Sequence, residues 1–164
     1  MPVESGVIDT NVLVYALDAD APQHATSRAL LEAARASQAT LYVTSQILCE
    51  FYAVVTNPRR VQNPSSPAAA LAALSSLLGF LHVLPAPAHI VEELIRLLRR
   101  RPVTGGDIFD LQILATMSVN GIEHIYTFNA RTSPVSPNSP FSRRNAGAGL
   151  RLPGTGLSKT QPDL

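Results

Sequence analysis

Apolar and polar positions follow two rhythms along the chain. Short apolar runs recur at Gly6 to Asp9, Leu41-Tyr42-Val43, Leu81-His82-Val83-Leu84 and His124-Ile125-Tyr126-Thr127. Between them, apolar residues return at helical spacing, so strands alternate with amphipathic helices. Asp20 and Pro22 predict a helix start, and Ala25 to Ala36 carries the helix through Ala29, Leu30 and Ala33. Thr44 or Ser45 caps the next helix, whose apolar positions are Ile47, Leu48, Phe51, Val54 and Val55. It must stop before Asn57-Pro58, because a residue preceding proline is pushed out of the α region.

Ser65-Ser66-Pro67 then opens an Ala/Leu-rich helix reaching about Phe80. A further helix runs from about Ala88 to Arg100, with Ile90, Val91, Leu94, Leu97 and Leu98 on its inner side. After the turn Thr104-Gly105-Gly106, the last helix spans Asp107 or Ile108 to about Asn120, and Gly121 is its natural C-terminal cap. This alternation predicts an α/β fold in three α/β/α layers, with a mostly parallel central sheet of four to five strands. Residues 1–152 read as a single domain, with residues 130–140, rich in Pro, Ser and Asn, as a loop insertion. Leu150 to Leu152 is a candidate edge strand, and residues 153–164 read as a disordered tail.

Composition narrows the classes. A chain of 164 residues, 46% hydrophobic and 15% charged, is globular and long enough to bury a core. A formal net charge of +1 excludes a strongly cationic protein that coats nucleic acid. The single cysteine, Cys49, rules out an intramolecular disulfide, suits a reducing cytoplasm and is expected in the core. No Cys/His cluster offers a structural zinc site. Neither a signal peptide nor a membrane span is expected, which again predicts the cytoplasm.

The chemistry starts at Val7-Ile8-Asp9-Thr10-Asn11, where a buried strand runs straight into a carboxylate. Open α/β sheets place acids in the crevice beyond the strand's carboxyl end, and an unpaired buried charge is costly. Asp9 therefore needs hydrogen-bond donors or a cation. Glu50 projects at the border of its helix's apolar arc, where an inward acid and a solvated one are equally consistent with the spacing. Asp107 and Asp110 share one side of the last helix in its first turn. Asp107 reads first as an N-cap, whereas Asp110 lines up with Leu114 and Met117 and leans inward. Asn129 stands just past the last strand, either as a turn residue or as a partner of Asp9. Thr10 and Asn11 either orient the acids or simply start a helix. Carboxylates gathered at one sheet edge repel unless protonated or neutralised, and hard oxygen ligands without His or Cys select Mg²⁺ or Mn²⁺. Such an ion can bind a phosphate oxygen and activate water.

Four pieces in this order carry a resemblance: Val-Ile-Asp9-Thr-Asn-Val-Leu-Val-Tyr-Ala, Glu50 within Ile-Leu-Cys-Glu-Phe-Tyr-Ala-Val-Val-Thr-Asn-Pro-Arg, Asp110 within Ile-Phe-Asp-Leu-Gln-Ile-Leu-Ala-Thr, and Tyr-Thr-Phe-Asn129. Together they resemble the PIN-domain ribonucleases, in the style of the VapC-type toxins of bacterial toxin–antitoxin pairs. The resemblance implies Mg²⁺- or Mn²⁺-dependent cleavage of RNA and inhibition by a cognate antitoxin. By position it implies Asp9 and Asp110 as metal ligands, Glu50 completing the acidic cluster, Asp107 as an extra acid and Asn129 in the last polar position. The chain departs from the family where an Asp-Phe pair is common: Phe141 follows Pro140, which argues against a second metal.

The remaining features concern surfaces and rival readings. Arg96, Arg99, Arg100 and Arg101 gather at one helix end and Arg59-Arg60 at another, placements the helix dipole favours by itself. If they ring the cleft they would hold RNA phosphates. Sparse aromatics, 5% with no Trp, argue against base stacking as the main grip. Leu71, Leu74, Leu77, Leu78 and Phe80 exceed the needs of one core face and are candidates for a homodimer seam or an antitoxin groove. A phosphatase with a nucleophilic strand-end Asp would want a second acid where Asn11 stands. The other alternative is a catalytically degenerate PIN-like module that binds RNA or a partner.

Overall fold

The structure is a computed structural model, and it describes residues 3–129. Its centre is a four-stranded sheet formed by β1 (Gly6–Ile8), β2 (Leu41–Val43), β3 (His82–Val83) and β4 (Ile125–Tyr126). The spatial order is β3-β2-β1-β4 and every pairing is parallel. All three residues of β1 are buried. Successive strand residues face opposite sides, so both faces of the sheet are covered, as the three-layer reading requires.

Six helices surround this sheet among the described residues: α1 (Thr10–Leu17), α2 (His24–Arg35), α3 (Ser45–Val55), α4 (Pro67–Leu78), α5 (Ile90–Arg100) and α6 (Asp107–Val119). Several begin where local chemistry dictates. The Thr44 hydroxyl accepts the Ile47 N–H at 3.1 Å, and the Ser66 hydroxyl accepts the Ala69 N–H at 3.2 Å, with Pro67 in the first turn. Gly121, at φ +66°, follows α6 in the left-handed conformation that ends helices. The core gathers Ile8, Leu13, Leu41, Ile47, Phe51 and Ile113 between these layers. No helix of the described residues is long and apolar enough to cross a membrane.

Several expectations need correction. The first strand stops at Ile8, and Asp9 already caps a helix that the sequence reading offered only as an alternative role for Thr10 and Asn11. Helix α2 starts at His24, because residues 18–23 form turns with Ala21 N–H on the Asp18 carbonyl and His24 N–H on the Ala21 carbonyl. Cys49 is exposed rather than core, since α3 turns Ile47, Phe51 and Val55 inward and leaves Cys49 off that arc. Helix α5 buries none of its residues fully, and Val91 is 56% exposed. Its neighbour is α6 rather than the sheet, so half-burial is all its apolar stripe can reach. Of the leucine-rich helix, Leu77 is buried, while Leu71 is 62% and Leu78 47% exposed. The insertion at 130–140, the Leu150–Leu152 strand, Phe141 and the tail 153–164 lie outside the described residues.

One feature sets how closely the two strands that frame the site can approach. A Cβ on Gly6 would lie 2.8 Å from the His124 carbonyl oxygen and 3.0 Å from the Tyr126 ring. Tyr126 is held there by its hydroxyl, which donates to the Glu4 carbonyl at 2.7 Å. Gly6→Ala should therefore push β4 off β1 and cost about 1–3 kcal/mol in urea unfolding. An unchanged midpoint would show that β4 yields freely.

Candidate active site at the carboxyl edge of the sheet

Strand order locates the site before any side chain is considered. From β1 the chain builds outward through β2 and β3, then returns to the other side of β1 to form β4. The direction of winding reverses between β1 and β4, and such a switch point opens a crevice beyond the strands' carboxyl ends. Asp9 and Thr127 are the residues that immediately follow these two strands.

Asp9 is 9% exposed, and its carboxylate is enclosed by donors. Oδ1 accepts the Thr10 N–H at 2.7 Å; Oδ2 accepts Thr127 Oγ1 at 2.6 Å and Asn11 Nδ2 at 2.8 Å. Its own N–H donates to the Tyr126 carbonyl at 3.0 Å, which carries the β1–β4 pairing one residue past the strand. Asn11 closes the ring, with Nδ2 also donating to Thr127 Oγ1 at 3.0 Å and Oδ1 accepting the Phe128 N–H at 3.2 Å. Thr10 and Asn11 thus start a helix and orient the acids at once.

Glu50 comes in from α3. Its Oε2 accepts Thr10 Oγ1 at 3.0 Å and its Oε1 accepts Gln46 Nε2 at 3.1 Å. Gln46 Nε2 also donates to the Phe109 carbonyl at 3.0 Å, which ties α3 to the first turn of α6, one residue before Asp110. The result is electrostatic contact among the acids. Burial is the largest influence pushing the Asp9 carboxyl above its ordinary 3.8; the Thr127 and Thr10 hydrogen bonds pull it back, and the charges of Asp110 and Glu50 raise it further. Asp9, Glu50 and Asp110 therefore share one field.

Asp107 and Asn129 stand further out. Asp107 is exposed in the first turn of α6, where Gly106 takes the cap position and no side-chain cap bond forms, so the expected N-cap role is not realised. It is absent from the charges felt by Asp9. Asn129 is exposed, and its N–H donates to Thr127 Oγ1 at 3.0 Å. Thr127 is the residue that sequence reasoning passed over: one buried hydroxyl serves Asp9, Asn11 and Asn129 together. Its signal was available, because it ends a buried strand as Asp9 does. A separate cleft of about 530 Å³ lies at the far end of α1, lined by Leu17, Asp18, Asp20 and Asn63 among others, and none of the candidate residues borders it.

Comparison with known proteins identifies the family. Residues 6–136 match the PIN domain family. The chain belongs to it. This PIN-domain chain is 42% identical over 72 residues to ribonuclease VapC43 of Mycobacterium tuberculosis, a match covering 44% of the chain and 49% of that relative. The chain thus spans about half the length of that curated relative. It is 28% identical over 123 residues to ribonuclease VapC24 of the same species, covering 74% of the chain and 84% of the relative. Among solved structures, the M. tuberculosis VapC20 toxin, described as cleaving the Sarcin-Ricin loop, superposes with a TM-score of 0.59 at 22% identity, over 77% of this chain and 92% of that one. VapBC2 from Rickettsia felis, solved bound to a DNA fragment from its promoter, gives 0.54 at 20% identity, over 79% and 90%. The two solved structures share this chain's fold.

Two outcomes follow from the geometry around Asp9. Because its folded carboxyl is raised above the unfolded value, the folded state holds the proton more tightly. The stability this gives is complete below about pH 4 and is lost as pH rises through the folded value. In EDTA, the urea stability of the wild type relative to Asp9→Asn should therefore fall between acid and neutral pH; a flat difference would contradict the buried, crowded carboxylate. Thr127→Val, which leaves three groups each short of a partner, should cost about 1–3 kcal/mol. An unchanged stability would mean that water replaces the hydroxyl at no cost.

Proposed function

We propose that the protein is a metal-dependent endoribonuclease, the toxin of a toxin–antitoxin pair, acting in the cytoplasm on RNA and restrained by a cognate antitoxin. Membership of the PIN family and the likeness to VapC ribonucleases support the class. The observation that carries the chemistry is the buried Asp9 carboxylate at the strand switch point, pushed toward protonation by burial and by Asp110 and Glu50. Exposed Leu71 and Leu78 support a homodimer.

Among the described residues, no three His, Cys, Asp or Glu side chains converge tightly enough to enclose an ion by themselves. That donor set nonetheless fits Mg²⁺ or Mn²⁺, which keep several waters and take only one or two carboxylates from the protein. Asp9 and Asp110 would hold the cation, with Glu50 completing the acidic cluster and Asp107 and Asn129 at its rim. When bound, the cation supplies Lewis-acid polarisation of the phosphate and offsets charge in the transition state. The chain's own residues do the rest. Thr10, Asn11 and Thr127 fix the Asp9 carboxylate before substrate arrives, so no reorganisation is required during reaction. Asp9 and Asp110 orient a water for in-line attack, and one of these carboxylates receives its proton. Thr10 and Gln46 hold Glu50 against the pair without neutralising it.

In an assay with Mg²⁺ or Mn²⁺, purified protein should cleave RNA, EDTA should abolish the cleavage, and Asp9→Asn should lower the rate by at least about 100-fold. Cleavage surviving Asp9→Asn would refute the assignment. RNA binding without cleavage under either cation would select the degenerate alternative.

A further inference from the structure

We propose that the corner where α5 ends and α6 begins reads single-stranded RNA, with the Phe109 ring stacking on a nucleobase and Arg99, Arg100 and Arg101 offsetting the flanking phosphates. This rests on the nuclease reading above and specifies the form its substrate takes.

Phe109 is 52% exposed although aromatic residues make up only 5% of the chain. It immediately precedes Asp110, whose charge reaches Asp9. The backbone beneath the ring is pinned, because the Phe109 carbonyl accepts the Gln46 amide at 3.0 Å and the same amide holds Glu50 at 3.1 Å. An apolar ring displayed on a fixed platform beside phosphate-cleaving acids matches what an unstacked base requires.

The arginines stand at the same corner. Glu93, near the start of α5, is hydrogen-bonded to Ser118, near the end of α6, so the two helices run antiparallel. The end of α5 therefore meets the beginning of α6 across the short connection 101–106. Arg96 is committed to Glu93, its Nε donating at 2.6 Å, and that bond with the one from Ser118 pulls the Glu93 carboxyl down to about 2. Arg99, Arg100 and Arg101 are exposed, and no ion pair among the described residues involves them. Carboxylates at the centre of the site repel the phosphates they must approach, and this basic rim counters that repulsion. Bases within a duplex are already stacked, so the ring selects single strands. The low aromatic content argued against stacking as the main grip; one well-placed ring is enough for a single base.

The chain contains no tryptophan, so Phe109→Trp installs a lone reporter at the corner. In EDTA, a single-stranded RNA of about 12 nucleotides should quench its emission saturably and in a salt-dependent way. A duplex of the same length, or the same backbone with abasic sites, should leave the emission unchanged. Phe109→Ala, with unchanged circular dichroism, should weaken binding of the single strand by on the order of 10-fold while leaving abasic RNA unaffected. Joint substitution of the three arginines by Ala should weaken both. Binding by Phe109→Ala within about twofold of wild type, or emission unmoved by single-stranded RNA, would overturn the proposal. Because nothing is cleaved in EDTA, base-dependent quenching without nuclease activity would refute the nuclease reading and leave the stacking surface standing. Asp9-dependent cleavage with an indifferent Phe109 would do the reverse.

Discussion

A carboxylate held out of water at the end of the central strand is the constraint around which this structure is arranged. Asp9 has no access to bulk solvent sufficient to solvate its charge, so the protein surrounds it with a backbone N–H, a hydroxyl and an amide. Those three donors come from both sides of the strand switch point, and they tie α1 and the end of β4 into one unit. Yet the donors do not fully offset burial, and two further carboxylates add repulsion. A carboxylate in this condition is relieved either by a proton or by a nearby positive charge.

The supporting parts follow from that need. Helix α3 is capped by Thr44 directly after β2, which carries Glu50 to within reach of the Thr10 hydroxyl. Helix α6 leads back into β4 and so runs antiparallel to it, bringing the first turn and Asp110 to the same carboxyl edge. Gln46 then connects the two acid-bearing helices through one amide nitrogen. Gly6 lets β1 and β4 lie close enough for Thr127 to reach Asp9. Each of these is a short-range contact, but together they hold charges from three distant points of the chain, Asp9, Glu50 and Asp110, in one field.

Function, on this view, depends on a balance between opposing charges. In the proposed nuclease, acids at the switch point would attract a cation and repel the nucleic-acid backbone, while basic side chains at the end of α5 would act in the opposite sense. A net charge of +1 conceals this separation completely. The PIN domain supplies the frame on which these residues are carried.

The alternation of strands and helices, the caps at Thr44, Ser66 and Gly121, and the stop before Asn57-Pro58 were legible in the sequence because each depends on neighbours a few residues away. Asp9, Glu50 and Asp110 were also legible as candidates, since a polar residue at the end or edge of an apolar run stands out. What the sequence could not decide was pairing. Whether Glu50 faces the site, whether Asp107 caps or stands apart, and whether Cys49 and Val91 are buried all depend on which helix lies against which. The role of Thr127 was hidden for the same reason: its partners lie 118 and 116 positions away. Periodicity reports which face of an element is apolar; only the packed structure determines what meets that face.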